Sequence, residues 1–446
     1  NDLEGGRILV DAKKKRVFDL EKLLELTART AMSLEKLSVT YSESNGTLLP
    51  GYLPRTNIIG QEQYLKKSAP GYDFLFGYQP DTSWLYEKAN LGWISQSPSQ
   101  YNSYTQSNTK NLGIKANLEP LPSLKIDLTA NRNESRNFTE IFRDTTGFGD
   151  WDHQSPVETG NFSISFFSLP SAFLKDDKNY VSKTFTEFAN NRTKVAEELR
   201  QEYAKRNPGA GSAEEISGFG NTSQEVLMPA FLEAYGGVKS SSVLFNPLIK
   251  IPKPNWRATY DGLSQIPLIK KYFSRITLGH GYVSTFNISS FTTNTFYDSQ
   301  TGKNGEEFTN TKDANGNYLA KYEIGQISIS EQLSPLIKVD MNWKNSLLTS
   351  FEIKKTRNLT MSFTNNQLTE VRGTEYIIGG GYRFKDVKLP LKFGNMKKEL
   401  KSDVNIKADF SIRSNTTVIR KLVEETNTPL KGQRIFSINL TADYAI

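Results

Sequence analysis

The feature that most constrains this chain is an alternation of apolar and polar residues with a period of two, sustained over long stretches. Leu112, Ile114, Ala116 and Leu118 share one parity, while Asn111, Lys115, Asn117 and Glu119 hold the other. After Pro120-Leu121-Pro122-Ser123 the pattern resumes, with Leu124, Ile126, Leu128 and Ala130 set against Lys125, Asp127, Thr129 and Asn131. Successive side chains of a strand point to opposite faces, so two such runs around a turn predict a hairpin of long amphipathic strands. The same grammar recurs at residues 37–41, 162–166, 256–260, 276–288, 324–329, 351–363, 376–384, 404–412 and 436–446. It is strictest where Ile337, Val339, Met341 and Trp343 alternate with Lys338, Asp340, Asn342 and Lys344.

Alternation also occurs in soluble β-sandwiches and does not by itself separate them from membrane barrels. Three further features favour the barrel: long runs, a polar parity filled by Lys, Asp, Asn, Arg and Ser, and Tyr or Trp near strand ends, as at Trp343 and Tyr444. The expected fold class is all-β, part of an antiparallel transmembrane β-barrel. Lys338, Asp340, Asn342, Lys344, Lys407, Asp409 and Asp443 are expected to face its lumen. Ile337, Val339, Met341 and Trp343 are expected to face lipid or an apolar partner. No run approaches the roughly 18 to 20 apolar residues that a membrane-spanning helix needs.

The 446 residues include no Cys, which removes disulfide frameworks and thiolate chemistry. The 55 basic and 48 acidic residues are interspersed, and only Lys13-Lys14-Lys15-Arg16 forms a basic run, so nucleic acid is not an expected partner. The chain opens at Asn1 without an initiator Met and stops at Ile446 inside an alternating run, which reads as an excised piece of a longer polypeptide that does not close a barrel alone.

Two regions break the alternation. Between residues 181 and 206, Phe185, Phe188, Val195, Leu199 and Tyr203 recur at helical spacing, and Asn207-Pro208-Gly209 stops the run. Val226, Leu227, Ala230, Phe231, Ala234 and Tyr235, closed by Gly236-Gly237, predict a second helix with Pro229 near its first turn. With the expected loops 145–159 and 208–223 they form a helical insertion between strands: a cap over one mouth of the conduit, a partner platform, or two helices that pack on each other and on the barrel rim. The expected organisation is strands with a long excursion (48–107) over residues 1–144, the insertion over 145–243, and strands over 244–446. A short helix is expected around residues 84–89.

Candidate chemistry is sparse. His153 and His280 are the only histidines, and His280 between Gly279 and Gly281 reads as a hydrogen-bonded structural residue. The pairs Asp176-Asp177, Glu197-Glu198 and Glu424-Glu425 read as solvated carboxylates. Gly379-Gly380-Gly381 lies inside an alternating run with no helix or Lys-Ser/Thr pair after it, so it is a strand feature and no phosphate loop. Asp313-Ala314-Asn315-Gly316-Asn317 reads as a hairpin tip, since no acidic residue closes a calcium loop. The expectation is a protein without catalysis, cofactor or metal.

Thr222-Ser223-Gln224-Glu225-Val226-Leu227-Met228-Pro229-Ala230-Phe231-Leu232-Glu233-Ala234-Tyr235, followed by Pro254-Asn255-Trp256-Arg257-Ala258-Thr259-Tyr260-Asp261-Gly262-Leu263, resembles the SprA/Sov family. So do residues 273–286 around Gly279-His280-Gly281-Tyr282, the segment Gly77-Tyr78-Gln79-Pro80-Asp81, and Glu375-Tyr376-Ile377-Ile378-Gly379-Gly380-Gly381-Tyr382. The resemblance implies a C-terminal portion of the giant outer-membrane translocon of the type IX secretion system of Bacteroidetes, which serves protein secretion and gliding motility. The largest single-chain barrels, of about 36 strands, are of this family, so that size is an implication of the resemblance and not a reading of these residues. The resemblance further implies secreted cargo proteins, a PorV-like barrel at a lateral opening and a periplasmic plug protein as partners. From other classes, a TonB-dependent nutrient receptor would need a plug domain, and a secreted glycan-active β protein would need a paired-carboxylate cleft and no detergent.

Overall fold

The computed structural model describes residues 33–446 apart from residues 56, 58–60, 65–66, 247, 303–304, 394–395 and 445–446. The basic run Lys13 to Arg16 lies outside the described residues. The sheet is antiparallel and contains twelve strands: β1 (Leu34–Leu48), β2 (Tyr104–Leu121), β3 (Leu124–Asp144), β4 (Trp151–Ser165), β5 (Asn255–Tyr260), β6 (Phe273–Thr293), β7 (Tyr322–Ile324), β8 (Gln326–Trp343), β9 (Leu347–Ser362), β10 (Gln367–Phe393), β11 (Met396–Lys421) and β12 (Thr426–Tyr444). Its order is β1-β2-β3-β4-β6-β8-β9-β10-β11-β12, with β7 paired to β6. Among the described residues β1 and β12 do not meet, so the sheet is open.

Strong alternation and β-branched or aromatic residues favour these strands over helices. Pairing is long and regular: β9 and β10 run without interruption from Leu347↔Tyr382 to Ser362↔Gln367. Lys344 lies in the turn between β8 and β9, beyond the alternating strand in which the sequence placed it.

The helical material departs most from the sequence reading. Residues 151–159, expected as loop, form most of β4, because Thr159 to Ser165 pair with β6 and Trp151 to Ile164 pair with β3. β4 and β5 then occupy one position between β3 and β6: β4 lies beside Arg132 to Asp144, and β5 beside Leu124 to Thr129. The insertion is residues 166–254, and it interrupts a strand position halfway along instead of extending a loop at the mouth. Side chains patch the break. Ser165 Oγ accepts from Asn131 N at 2.9 Å, and Asn255 Oδ1 accepts from Ser284 N at 2.8 Å. These amides face the gap in the ladder, and an unpaired buried amide there would cost about 1–3 kcal/mol.

Within the insertion, α2 (Lys183–Arg206) begins at Ser182, whose hydroxyl accepts from Phe185 N, and ends at Asn207 before Pro208. α3 (Gln224–Gly236) ends on Gly237 in the left-handed conformation. It starts two residues earlier than the sequence suggested, which puts Pro229 inside the helix. The short α1 (Ser83–Asn90) lies in the excursion, residues 49–103, as expected.

The tertiary arrangement is set by which sheet face these segments cover. Phe162, Ile164, Phe286, Ile288, Ile327, Ile329, Leu359, Met361 and Leu368 share one face and form a single cluster with Phe185, Phe188, Val195, Leu199, Val226, Leu227 and Phe231. A second cluster joins Phe142 and Trp151 of that face to Leu85, Ala89, Trp93 and Ile94 of the excursion. Both clusters lie toward one end of the strands. The long connections 49–103, 166–254 and 294–321 collect at that end, which we call the upper end. The lower end carries the short turns 122–123 and 344–346 and the connection 261–272. Short turns also stand at the upper end, at 145–150, 363–366 and 422–425, so short turns occur at both ends and only the three longest connections mark one of them.

Candidate functional site

The register assigns every strand residue to one of two faces, because directly paired residues share a face. On the first face below the clusters stand Leu37, Val39 and Tyr41 of β1, Leu112 to Leu118 of β2 and Leu124 to Ala130 of β3, each at alternate positions. Ile337, Val339, Met341 and Trp343 of β8 continue the band, as do Phe351 and Ile353 of β9 and Tyr376, Ile378 and Tyr382 of β10. Ile406, Phe410 and Ile412 of β11 and Phe436, Ile438 and Leu440 of β12 complete it. Many of these side chains are open to the surroundings: Ile378 is 60% and Ile438 69% exposed, against 0% for Ile329 and Leu359 higher on the same face. From Val404 to Ile412, at about 3.3 Å per residue, the apolar run measures about 26 Å along the strand. Aromatic pairs close its lower edge, Phe273 with Trp343 at 4.1 Å and Tyr382 with Phe384 at 4.9 Å between ring centroids.

The second face is polar along its length. Lys338, Asp340, Asn342, Lys407, Asp409 and Asp443 all lie on it, as do Ser350, Glu352, Lys354 and Arg383. Charges pair along single strands, Lys338 with Asp340 at 3.0 Å and Lys407 with Asp409 at 2.9 Å. Surface pairs of this kind contribute about 1 kcal/mol or less and leave the face wetted and balanced in charge. Gly379 has its role here: a Cβ at that position would stand 2.1 Å from Asp409 Oδ1 and 2.2 Å from Ser350 Oγ, so neighbouring polar side chains lie across the bare backbone.

Where the apolar band meets the insertion, the first face turns ionic. Arg357 bonds Glu331 at 2.8 Å, the Ser171 carbonyl at 2.8 Å and the Ser168 carbonyl at 3.2 Å. Glu331 also accepts from Ser168 Oγ at 2.7 Å and from the Tyr282 hydroxyl at 2.9 Å. Beside this set, fully buried Arg420 bonds Glu370 at 2.8 Å, Asp176 at 2.7 Å, Asn427 Oδ1 and the Tyr180 carbonyl. Arg372 bonds Glu370 at 2.7 Å and Asp176 at 3.2 Å. Three carboxylates face three guanidiniums, so the cluster is neutral in sum. It clamps residues 168–180, the root of the insertion, onto β8 to β11. Asp176, read from sequence as solvated, is a keystone of the clamp. Its run of loop residues carries no periodic signal that would have marked it.

Of the expected alternatives, the contacts found are those of helices packed on each other and on the strands. The apolar stripes of α2 and α3 pack on each other and on the first face, with Phe188 5.8 Å from Phe231 and Lys194 bonded to Glu233 at 2.6 Å across the helices. Ridge packing on an apolar sheet consumes both stripes, and the helices stand on the side opposite the polar face, so they do not roof it. Between the insertion and the connection 294–321 lies a cavity of about 310 Å³ lined by Tyr203, Phe219, Tyr297, Phe308, Arg206 and Glu225. Burial pushes the Glu225 carboxyl up to about 7, and Arg206 opposes the shift.

His153 Nδ1 bonds Glu140 at 2.8 Å, and His280 Nδ1 bonds the Leu336 carbonyl at 2.7 Å. The Asp313 carboxylate accepts from Asn315 N and Asn317 N in a tight turn, as a hairpin tip would. Compared with known proteins, the chain matches no family model and no curated protein.

Proposed function

We propose that this chain is a wall segment of an outer-membrane β-barrel that conducts secreted proteins. The observation that carries the membrane reading is the apolar band left bare on one face across β1 to β12. In water such a surface would far exceed the few hundred Å² that monomeric proteins usually expose. In a bilayer it is the outward apolar band, about 25 Å tall with aromatic girdles, that barrels present to lipid. Ile337, Val339, Met341 and Trp343 then face lipid. The polar face becomes the lumen wall, with Lys338, Asp340, Asn342, Lys407, Asp409 and Asp443 along it. The three longest connections gather at the upper end, which supports an outward orientation of that end.

Among the described residues the edges of β1 and β12 carry unpaired backbone groups, which in lipid cost several kcal/mol each unless further strands pair with them. The translocon reading rests on the resemblance of the motifs at residues 222–263, 273–286 and 375–382. With it come secreted cargo in the conduit, a PorV-like barrel at a lateral opening and a periplasmic plug. A mixed-charge wall suits that role, because it wets the passage while holding no single cargo tightly.

The absence of Cys makes the test direct. Single cysteines replace Phe410, on the apolar face, or the adjacent Ser411, on the polar face, in protein embedded in native membranes. A bulky water-soluble maleimide should label Ser411→Cys and spare Phe410→Cys. A photo-crosslinker attached during secretion should trap cargo from Ser411→Cys alone. Equal labelling would sink the membrane assignment, and labelling without trapped cargo would sink the conduit.

A further inference from the structure

The geometry points to a docking site for the phosphate headgroup of an anionic lipid at the upper rim of the apolar band, between the insertion root and β8 to β10. This inference rests on the membrane reading. A cavity of about 140 Å³ there is lined by Phe173, Leu174, Lys175, Leu333, Lys355, Arg372 and Thr374, among others. Its height is set by the register. Lys355 is the next residue on the apolar face above Ile353, and Thr374 the next above Tyr376, so the cavity opens where the bare band ends. That is the level at which lipid headgroups meet acyl chains.

The charges at this rim are unequal. Arg357, Arg372 and Arg420 are matched by Glu331, Glu370 and Asp176. Lys175 and Lys355 have no carboxylate partner among the described residues, and the Lys355 ammonium lies 4.8 Å from the centroid of the Phe173 ring. Two uncompensated ammonium groups beside a neutral clamp make a local excess of positive charge that a phosphate satisfies. Phe173 and Leu174, 46% and 41% exposed, are large apolar side chains on the segment that supplies Lys175. Acyl chains running down the bare band from a phosphate held at Lys175 and Lys355 would cover them. An aqueous anion would leave them in water.

The test uses the full chain in maltoside detergent, titrated with dioctanoyl phosphatidic acid, dioctanoyl phosphatidylcholine and inorganic phosphate, with bound lipid read by native mass spectrometry. Saturable binding of phosphatidic acid is expected, with phosphatidylcholine and inorganic phosphate much weaker. Lys175→Ala/Lys355→Ala should weaken phosphatidic acid about thirtyfold, from about fivefold per lysine at an anionic lipid surface. Lys175→Arg/Lys355→Arg should restore it. Unchanged binding in the alanine variant overturns the site, and so does phosphatidylcholine binding as tightly as phosphatidic acid. Inorganic phosphate binding as tightly as the lipid overturns the lipid as occupant. Failure of any of these arms in protein that still shows the one-sided maleimide pattern leaves the barrel reading standing and removes only the lipid site.

Discussion

Two halves of one sheet face invite comparison. Ile329, Leu359 and Met361 in the upper half and Val339, Phe351 and Ile378 in the lower half have the same chemistry and parity and lie on neighbouring strands. The upper set is sealed beneath α2 and α3, while Ile378 stands 60% exposed and Val339 and Phe351 are half-buried. An apolar strand face needs a cover and does not dictate its material. Protein supplies the cover above the clamp of Arg357, Arg372 and Arg420. Below it, on the reading proposed, lipid does.

The largest expected effect breaks the upper cover at its root. Arg420→Ala leaves Glu370 and Asp176 buried with half their partners, and losing one member of a buried ionic set costs about 3–5 kcal/mol. Limited proteolysis should then cut within residues 173–182 while the strands stay protected. A clamp variant as protease-resistant as the parent would show that the helices hold the face by hydrophobic contact alone.

A direct contrast of the halves comes next. Leu359→Ala opens a cavity under the insertion and should cost about 2–5 kcal/mol. Ile378→Ala, on the open half, should stay within about 0.5 kcal/mol. Denaturant midpoints in detergent give both values, and equal losses would mean that the lower half is also sealed by protein.

Charge sharpens the lower half. Met341→Arg should destabilise membrane-inserted protein by about 2–4 kcal/mol if the position lies near the bilayer midplane, while Asn342→Arg on the opposite face should be tolerated. Equal sensitivity at the two positions, measured by urea unfolding in vesicles, would remove the assignment of faces.

The smallest effect belongs to the insertion. Glu225 titrates near 7 when folded, above the ordinary glutamate range, so its proton favours the folded state. The stabilisation is complete below the unfolded value and is lost as pH rises through about 7. Glu225→Gln should flatten the fall in the insertion's Tm between pH 5 and pH 8 and raise Tm at pH 8. An unchanged slope would show that Glu225 does not carry the pH dependence.

Most of the strands, their two faces and the two long helices were legible in the chain. Alternation and the helical stripe are local periodicities, so Ile337 to Trp343 and Phe185 to Leu199 declared their elements without knowledge of any neighbour. The polar and apolar residues were separated onto opposite faces for the same reason, since one parity cannot change face without a bulge. The tertiary structure was needed to place β4 and β5 in one strand position. The apolar run of β4 is confined to its last residues, and Trp151 to Thr159 are fixed by pairing with β3. It also decided that the insertion leaves through that break onto the apolar face, and that Asp176 joins Arg372 and Arg420 from a distant loop. Ionic contacts across nearly two hundred residues and more leave no period in a sequence. Ile329 and Ile378 read alike in the chain, because a residue's parity records which way it points and nothing about what comes to lie against it.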